Sequence, residues 1–75
     1  MNNLEEVLQK YILLLQKVES KPELYALAQD TLGSEDAAIV WLISPHIQFN
    51  GQAPISRHDT QVRSLLLAIE HGIYL

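Results

Sequence analysis

The chain has 75 residues, five Lys/Arg against nine Asp/Glu for a net charge of −4, and no cysteine. This length allows one domain with a thin core, because a chain of about 60 residues buries only about 60% of the surface it exposes when unfolded. The missing cysteines exclude disulfide frameworks, thiolate zinc sites and cysteine nucleophiles, and the acidic balance argues against a phosphate-backbone partner.

The first predicted element is a helix over about 4–19. Asn3 and Glu6 stand at capping-box spacing, and Leu4, Val7, Leu8, Tyr11, Leu14, Leu15 and Val18 recur at intervals of three and four. These positions fall within one arc, predicted to face the core, with Ile12 at its edge and Leu13 on the opposite side. The opening Met1-Asn2-Asn3-Leu4-Glu5-Glu6 has no basic run or small-residue cleavage site, so no signal peptide is expected. No apolar run is long enough to span a bilayer, so no membrane association is expected. A reducing compartment, the cytoplasm, fits the absence of cysteine.

Ser20-Lys21-Pro22-Glu23 predicts the second helix, about 22–31, with Ser20 as its hydroxyl cap and Leu24, Leu27 and Ala28 inward. Gly33 closes it in the left-handed region. Ser34 caps a third helix, about 35–43, in which Glu35 and Asp36 favour the amino end of the dipole and Ala37, Ala38, Val40, Trp41 and Leu42 supply apolar surface. Pro45 ends that helix. Residues 45–55 lose all period and are read as an ordered loop pinned by Ile47 and Phe49, with Asn50-Gly51 as a turn signal lacking flanking strands. The last helix, about 57–71, begins at Ser56 or Asp59 and carries Val62, Leu65, Leu66 and Ile69 on one face, with Leu67 opposite and Gly72 as its stop. The expectation is an all-α single domain, a small bundle of four helices over 1–75.

Catalytic and metal chemistry find no support. His46, His58 and His71 are 12 and 13 residues apart, without ligand spacing. Ser56, His58 and Asp59 have the residue types of a hydrolase triad but no nucleophile elbow around them. Gly33, Gly51 and Gly72 form no phosphate-cradling loop. No enzyme, metal or cofactor is therefore expected. The second and third helices have the outline of a helix-turn-helix, yet the segment Glu35 to Ile43 carries two acids and no base or amide to meet base edges.

The string Leu32-Gly33-Ser34, Ala37 or Ala38, Trp41-Leu42-x-x-Pro45, Gly51-x-x-Pro54, Val62, Leu65-Leu66 and Ile69-Glu70-x-Gly72 resembles the Xre/MbcA/ParS-type antitoxin toxin-binding domain over about 30–74, with a shortened segment after Pro54. Residues 1–29 are then amino-terminal helices ahead of a toxin-binding-domain-like region, 30–75. The resemblance implies an antitoxin that neutralises a RES-domain toxin, an enzyme acting on NAD. It would dock its last helix and carboxyl-terminal end, with Leu67, Glu70, His71, Gly72, Ile73, Tyr74 and Leu75 as contacts. Trp41, Leu42, Pro45, Gly51 and Pro54 are read as scaffold, Trp41 as a core anchor whose indole N–H finds a backbone acceptor. The alternatives are a helical adaptor or dimerisation module without a toxin, including a homodimer through the first helix, and a DNA-binding protein. The first of these rests on the thin core and on Leu13 and Leu67 lying off their core faces.

Overall fold

The computed structural model describes residues 3–72. Four helices follow one another, α1 (Asn3–Glu19), α2 (Pro22–Leu32), α3 (Glu35–Ile43) and α4 (Asp59–Glu70), with single 3₁₀ turns at Ile47–Phe49 and Pro54–Ser56 between α3 and α4. Among the described residues there is no strand, only an isolated antiparallel bridge between His46 and Gln52. The all-α bundle is as the periodicity predicts, with α4 beginning at the later of its two expected starts.

The helix ends show why the elements stop where they do. Gly33 takes φ 92° and donates its N–H to the Gln29 carbonyl at 2.8 Å, satisfying one of the orphan acceptors of α2. Ser34 then accepts the Ala37 N–H on its hydroxyl at 3.0 Å, so α3 starts one residue after the turn. Ser44, held extended ahead of Pro45, ends α3. Two expected caps differ. Ser20 donates its hydroxyl back to the Lys17 carbonyl at 2.7 Å and so closes α1; Lys21 is the residue ahead of α2, with no side-chain cap. Asn3, expected as a cap, already belongs to α1.

The core consists of Leu14 and Val18 from α1, Leu24 and Ala28 from α2, Ala38 and Leu42 from α3, Phe49 and Ile55 from the connecting segment, and Val62 and Leu66 from α4. Each fully buried aliphatic side chain contributes about 1.5–3 kcal/mol. Ala28 on α2 and Ala38 on α3 are fully buried and lack bulk, so neighbouring elements can approach both helices closely at these points. The predicted inward faces of α2 and α4 hold, with Leu24, Ala28, Val62 and Leu66 buried and Leu27, Leu65 and Ile69 half-buried.

On α1 the prediction is corrected. Only Leu14 and Val18 are buried and Tyr11 is half-buried, whereas Leu4, Val7, Leu8 and Leu15 are exposed. Val7 points in nearly the same direction as Leu14 and Val18, two and three turns later, yet is 51% exposed. The first half of α1 therefore runs past the end of the core. The molecule is elongated accordingly, with principal extents of 44 × 23 × 19 Å.

The loop expectation is corrected in part. Phe49 is buried and pins the segment, but Ile47 is 87% exposed. Asn50 and Gly51 both have positive φ, 57° and 82°, and Gln52 N–H donates to the Phe49 carbonyl at 3.1 Å, the primed turn of a hairpin. The hairpin goes no further than one bridge, because Ala53 leads directly into the Pro54–Ser56 turn. Ile55 is 1% exposed, in a turn that packs against α1, α3 and α4.

Candidate functional site

α4 is anchored at its start and along one side. Val62 and Leu66 are fully buried, and Asp59 in the first turn accepts a hydrogen bond from the Lys21 ammonium at 2.7 Å. That hydrogen bond holds the Asp59 carboxyl below its ordinary value of 3.8, with weaker help from the charges of Arg63 and His58. α2 and α4 thus begin side by side. At the other end, His71 N–H donates to the Leu67 carbonyl at 3.0 Å and Gly72 N–H to the Ile69 carbonyl at 3.1 Å, with Gly72 at φ 74°.

Leu67, Glu70 and His71 stand at i, i+3 and i+4, so they share one face of the last turn, and all three are exposed, as is Gly72. Four of the seven expected contact residues are therefore gathered at one accessible helix end. The patch offers an aliphatic side chain, a carboxylate and an imidazole, a mixture of apolar and polar groups suited to docking. Ile73, Tyr74 and Leu75 lie outside the described residues.

Among the expected scaffold residues, Leu42 and Pro54 are buried, while Pro45 at the start of the connecting segment and Gly51 at its middle are exposed. Trp41 is half-buried and packs against the core from its edge. Its ring meets His46 edge-on at 5.5 Å, His46 meets Phe49 at 5.8 Å, and the Arg57 guanidinium lies over Phe49 at 5.8 Å. His46 also accepts the Gln48 N–H on Nδ1 at 3.2 Å. Arg57 donates to Gln52 at 3.0 Å and to Gln61 at 3.2 Å, tying the turn to α4. This chain of rings and cation fastens the connecting segment, and aperiodic sequence gave no hint of it.

A cleft of about 650 Å³ lies at the start of α4 and is lined by Lys21, Gln52, Ser56, Arg57, His58, Asp59 and Thr60. Ser56, His58 and Asp59 all line it, but the Asp59 carboxylate is committed to Lys21. Among the described residues no group of three His, Asp or Glu could hold a metal ion. On α3 the exposed residues are Glu35, Asp36 and Val40, a surface that repels phosphate. No helix among the described residues is long and apolar enough to cross a membrane.

The family described as the antitoxin Xre/MbcA/ParS C-terminal toxin-binding domain matches residues 27–72. The chain belongs to this family. The match takes in the second half of α2, all of α3, the connecting segment and α4, so Leu67, Glu70, His71 and Gly72 fall inside the Xre/MbcA/ParS toxin-binding domain, whereas α1 falls outside it. No curated protein and no solved structure matches the chain.

Proposed function

We propose that this chain is a non-catalytic antitoxin that binds and neutralises a RES-type toxin acting on NAD, through the end of α4 and the residues after it. The observation that carries the reading is the construction of α4. Its buried side is fixed by Val62 and Leu66 and its start by Lys21, so the Leu67, Glu70 and His71 face is presented on a rigid support. A rigid face loses little conformational freedom on docking. The family match supports a toxin as partner, and the RES class follows from the resemblance of the W-L-x-x-P, G-x-x-P and I-E-x-G series. Action in the cytoplasm is part of the same proposal.

The test is co-expression with a RES-type toxin encoded beside it. The proposal expects a purifiable complex and restored growth. Leu67→Arg, placed on the exposed face, is expected to weaken the complex at least tenfold while leaving thermal unfolding unchanged. Removing Ile73 to Leu75 asks whether the tail inserts: retained neutralisation confines the contact to α4. No complex and no relief of toxicity would refute the RES reading.

A further inference from the structure

We infer that Asn50 and Gly51 form a self-modification site that the fold keeps closed: when the connecting segment lifts, the Gly51 amide displaces ammonia from the Asn50 side chain and marks that molecule irreversibly. The covalent step needs only water. Hydroxide removes the Gly51 N–H proton, the freed nitrogen bonds to Asn50 Cγ, and the Cγ–Nδ2 bond breaks to release ammonia, leaving a succinimide ring. Water then opens the ring at either carbonyl, which gives aspartate or isoaspartate at position 50. No oxidant or reductant enters, and the inference does not rest on the toxin reading. Of the three asparagines, Asn2, Asn3 and Asn50, only Asn50 precedes a glycine, whose missing side chain leaves ring closure unobstructed. Asn2 precedes Asn3, and Asn3 precedes Leu4; Asp30, Asp36 and Asp59 precede Thr31, Ala37 and Thr60. Asn50 and Gly51 are both exposed, so hydroxide and water reach them.

The folded turn holds the reacting atoms apart. At φ 57° and ψ 36° the Gly51 nitrogen lies across the Cα–C bond from Asn50 Cβ, whereas ring closure needs both on the same side. The Gly51 N–H proton is also engaged, donated to the His46 carbonyl at 2.9 Å. Gln52 N–H donates to the Phe49 carbonyl at 3.1 Å, and His46 N–H to the Gln52 carbonyl at 3.1 Å. Rotating Asn50 into the attacking conformation breaks all three hydrogen bonds. The side chains behind them resist that motion: Phe49 is buried, the His46 ring meets both Trp41 and Phe49, and Arg57 donates to Gln52. Ammonia loss therefore reports how often this segment detaches. The isoaspartate product prevents its return. Its main chain runs through the former side-chain carbon, so a two-residue turn gains a backbone atom and His46 no longer faces Gln52 in register. The Pro54–Ser56 turn that follows packs against α4, so isoaspartate at position 50 loosens the footing of that helix.

The test is incubation of the full chain in mildly alkaline buffer, folded and in urea, with released ammonia measured and position 50 followed by peptide mass spectrometry. The unfolded chain is expected to react at Asn50 well ahead of Asn2 and Asn3. The folded chain is expected to react there roughly a hundredfold more slowly, an opening cost of about 2.8 kcal/mol at about 1.4 per factor of ten. His46→Ala keeps the carbonyl that Gly51 binds but strips the ring contacts to Trp41 and Phe49. It is expected to speed the folded-state reaction about fivefold with helical circular dichroism intact. If His46→Ala loses ellipticity, Arg57→Ala takes its place, removing the ties to Gln52 and Gln61. Asn50→Asp is the control for charge: it is expected to release no ammonia from the turn and to melt above wild type enriched in isoaspartate. Equal rates in the folded and unfolded chain, a folded-state rate unmoved by loosening the segment, or an Asn50 that stays intact in both states each overturns the inference. So does isoaspartate protein that melts with Asn50→Asp.

Discussion

Replacing Ile55 by alanine tests whether the segment between α3 and α4 is a loop or part of the core. Ile55 is 1% exposed and sits in the Pro54–Ser56 turn, which packs against α1, α3 and α4. Truncation removes its buried aliphatic groups and leaves a cavity that three helices cannot all close, which places the cost near 3 kcal/mol within the usual range of about 2–5. A domain of this size has roughly 4–11 kcal/mol in total, so about a quarter or more of its stability is at stake. Since about 1 kcal/mol shifts the midpoint by about 4–8 °C in a domain this small, a fall of about 12–24 °C is expected. Ile47→Ala, eight residues earlier and 87% exposed, is the internal comparison, expected within about 0.5 kcal/mol of wild type. Urea titration followed by far-ultraviolet circular dichroism measures both. Equal losses for the two variants, or less than about 1 kcal/mol for Ile55→Ala, would refute its place in the core.

Other variants probe the helix ends and the α2–α4 tie. Gly33→Ala meets no atom within 4 Å of its new Cβ, so its cost is the left-handed backbone alone, about 1–2 kcal/mol by urea titration, with Gly33→Asn costing less. Ser34→Ala, which strips the hydroxyl from the Ala37 N–H, is expected to cost about 1 kcal/mol, and Ser20→Ala distinctly less because that hydroxyl caps no helix start. Asp59 has a folded-state value below 3.8, so the stability it adds is complete above that value and is lost as pH falls through the folded value. Melting profiles of wild type and Asp59→Asn should therefore differ at neutral pH and converge in strong acid; a gap that persists there would contradict the Lys21 hydrogen bond as its source.

What the sequence disclosed and what it withheld divide along the range of the forces involved. The ends of α2 and α3 were legible because Pro22, Gly33, Ser34 and Pro45 act on backbone within about one helical turn of themselves. Leu67 was legible as an off-core residue because helical period assigns it a side. Period states that a face is apolar and not that anything covers it, which is why Leu4, Leu8 and Leu15 were expected inside and stand outside. Ile47, Phe49 and Ile55 belong to a stretch with no period, so nothing local distinguishes the exposed one from the two buried ones. The Lys21–Asp59 contact spans 38 residues and is a product of how α2 and α4 pack. Of the expected contact surface, the α4 portion could be placed from the sequence, because it depends only on helical spacing near Gly72.

The contact between Trp41 and His46 gives the molecule an optical reporter of its own. The chain contains one tryptophan, and its ring lies at 5.5 Å from His46 at the point where α3 hands over to the connecting segment. Its emission follows the attachment of that segment, while circular dichroism follows the four helices. If Ile55 and Phe49 make the segment integral to the core, the two signals must fall together along one unfolding curve. A fluorescence change that precedes the loss of ellipticity would mean that the segment can lift away from a bundle whose helices remain intact.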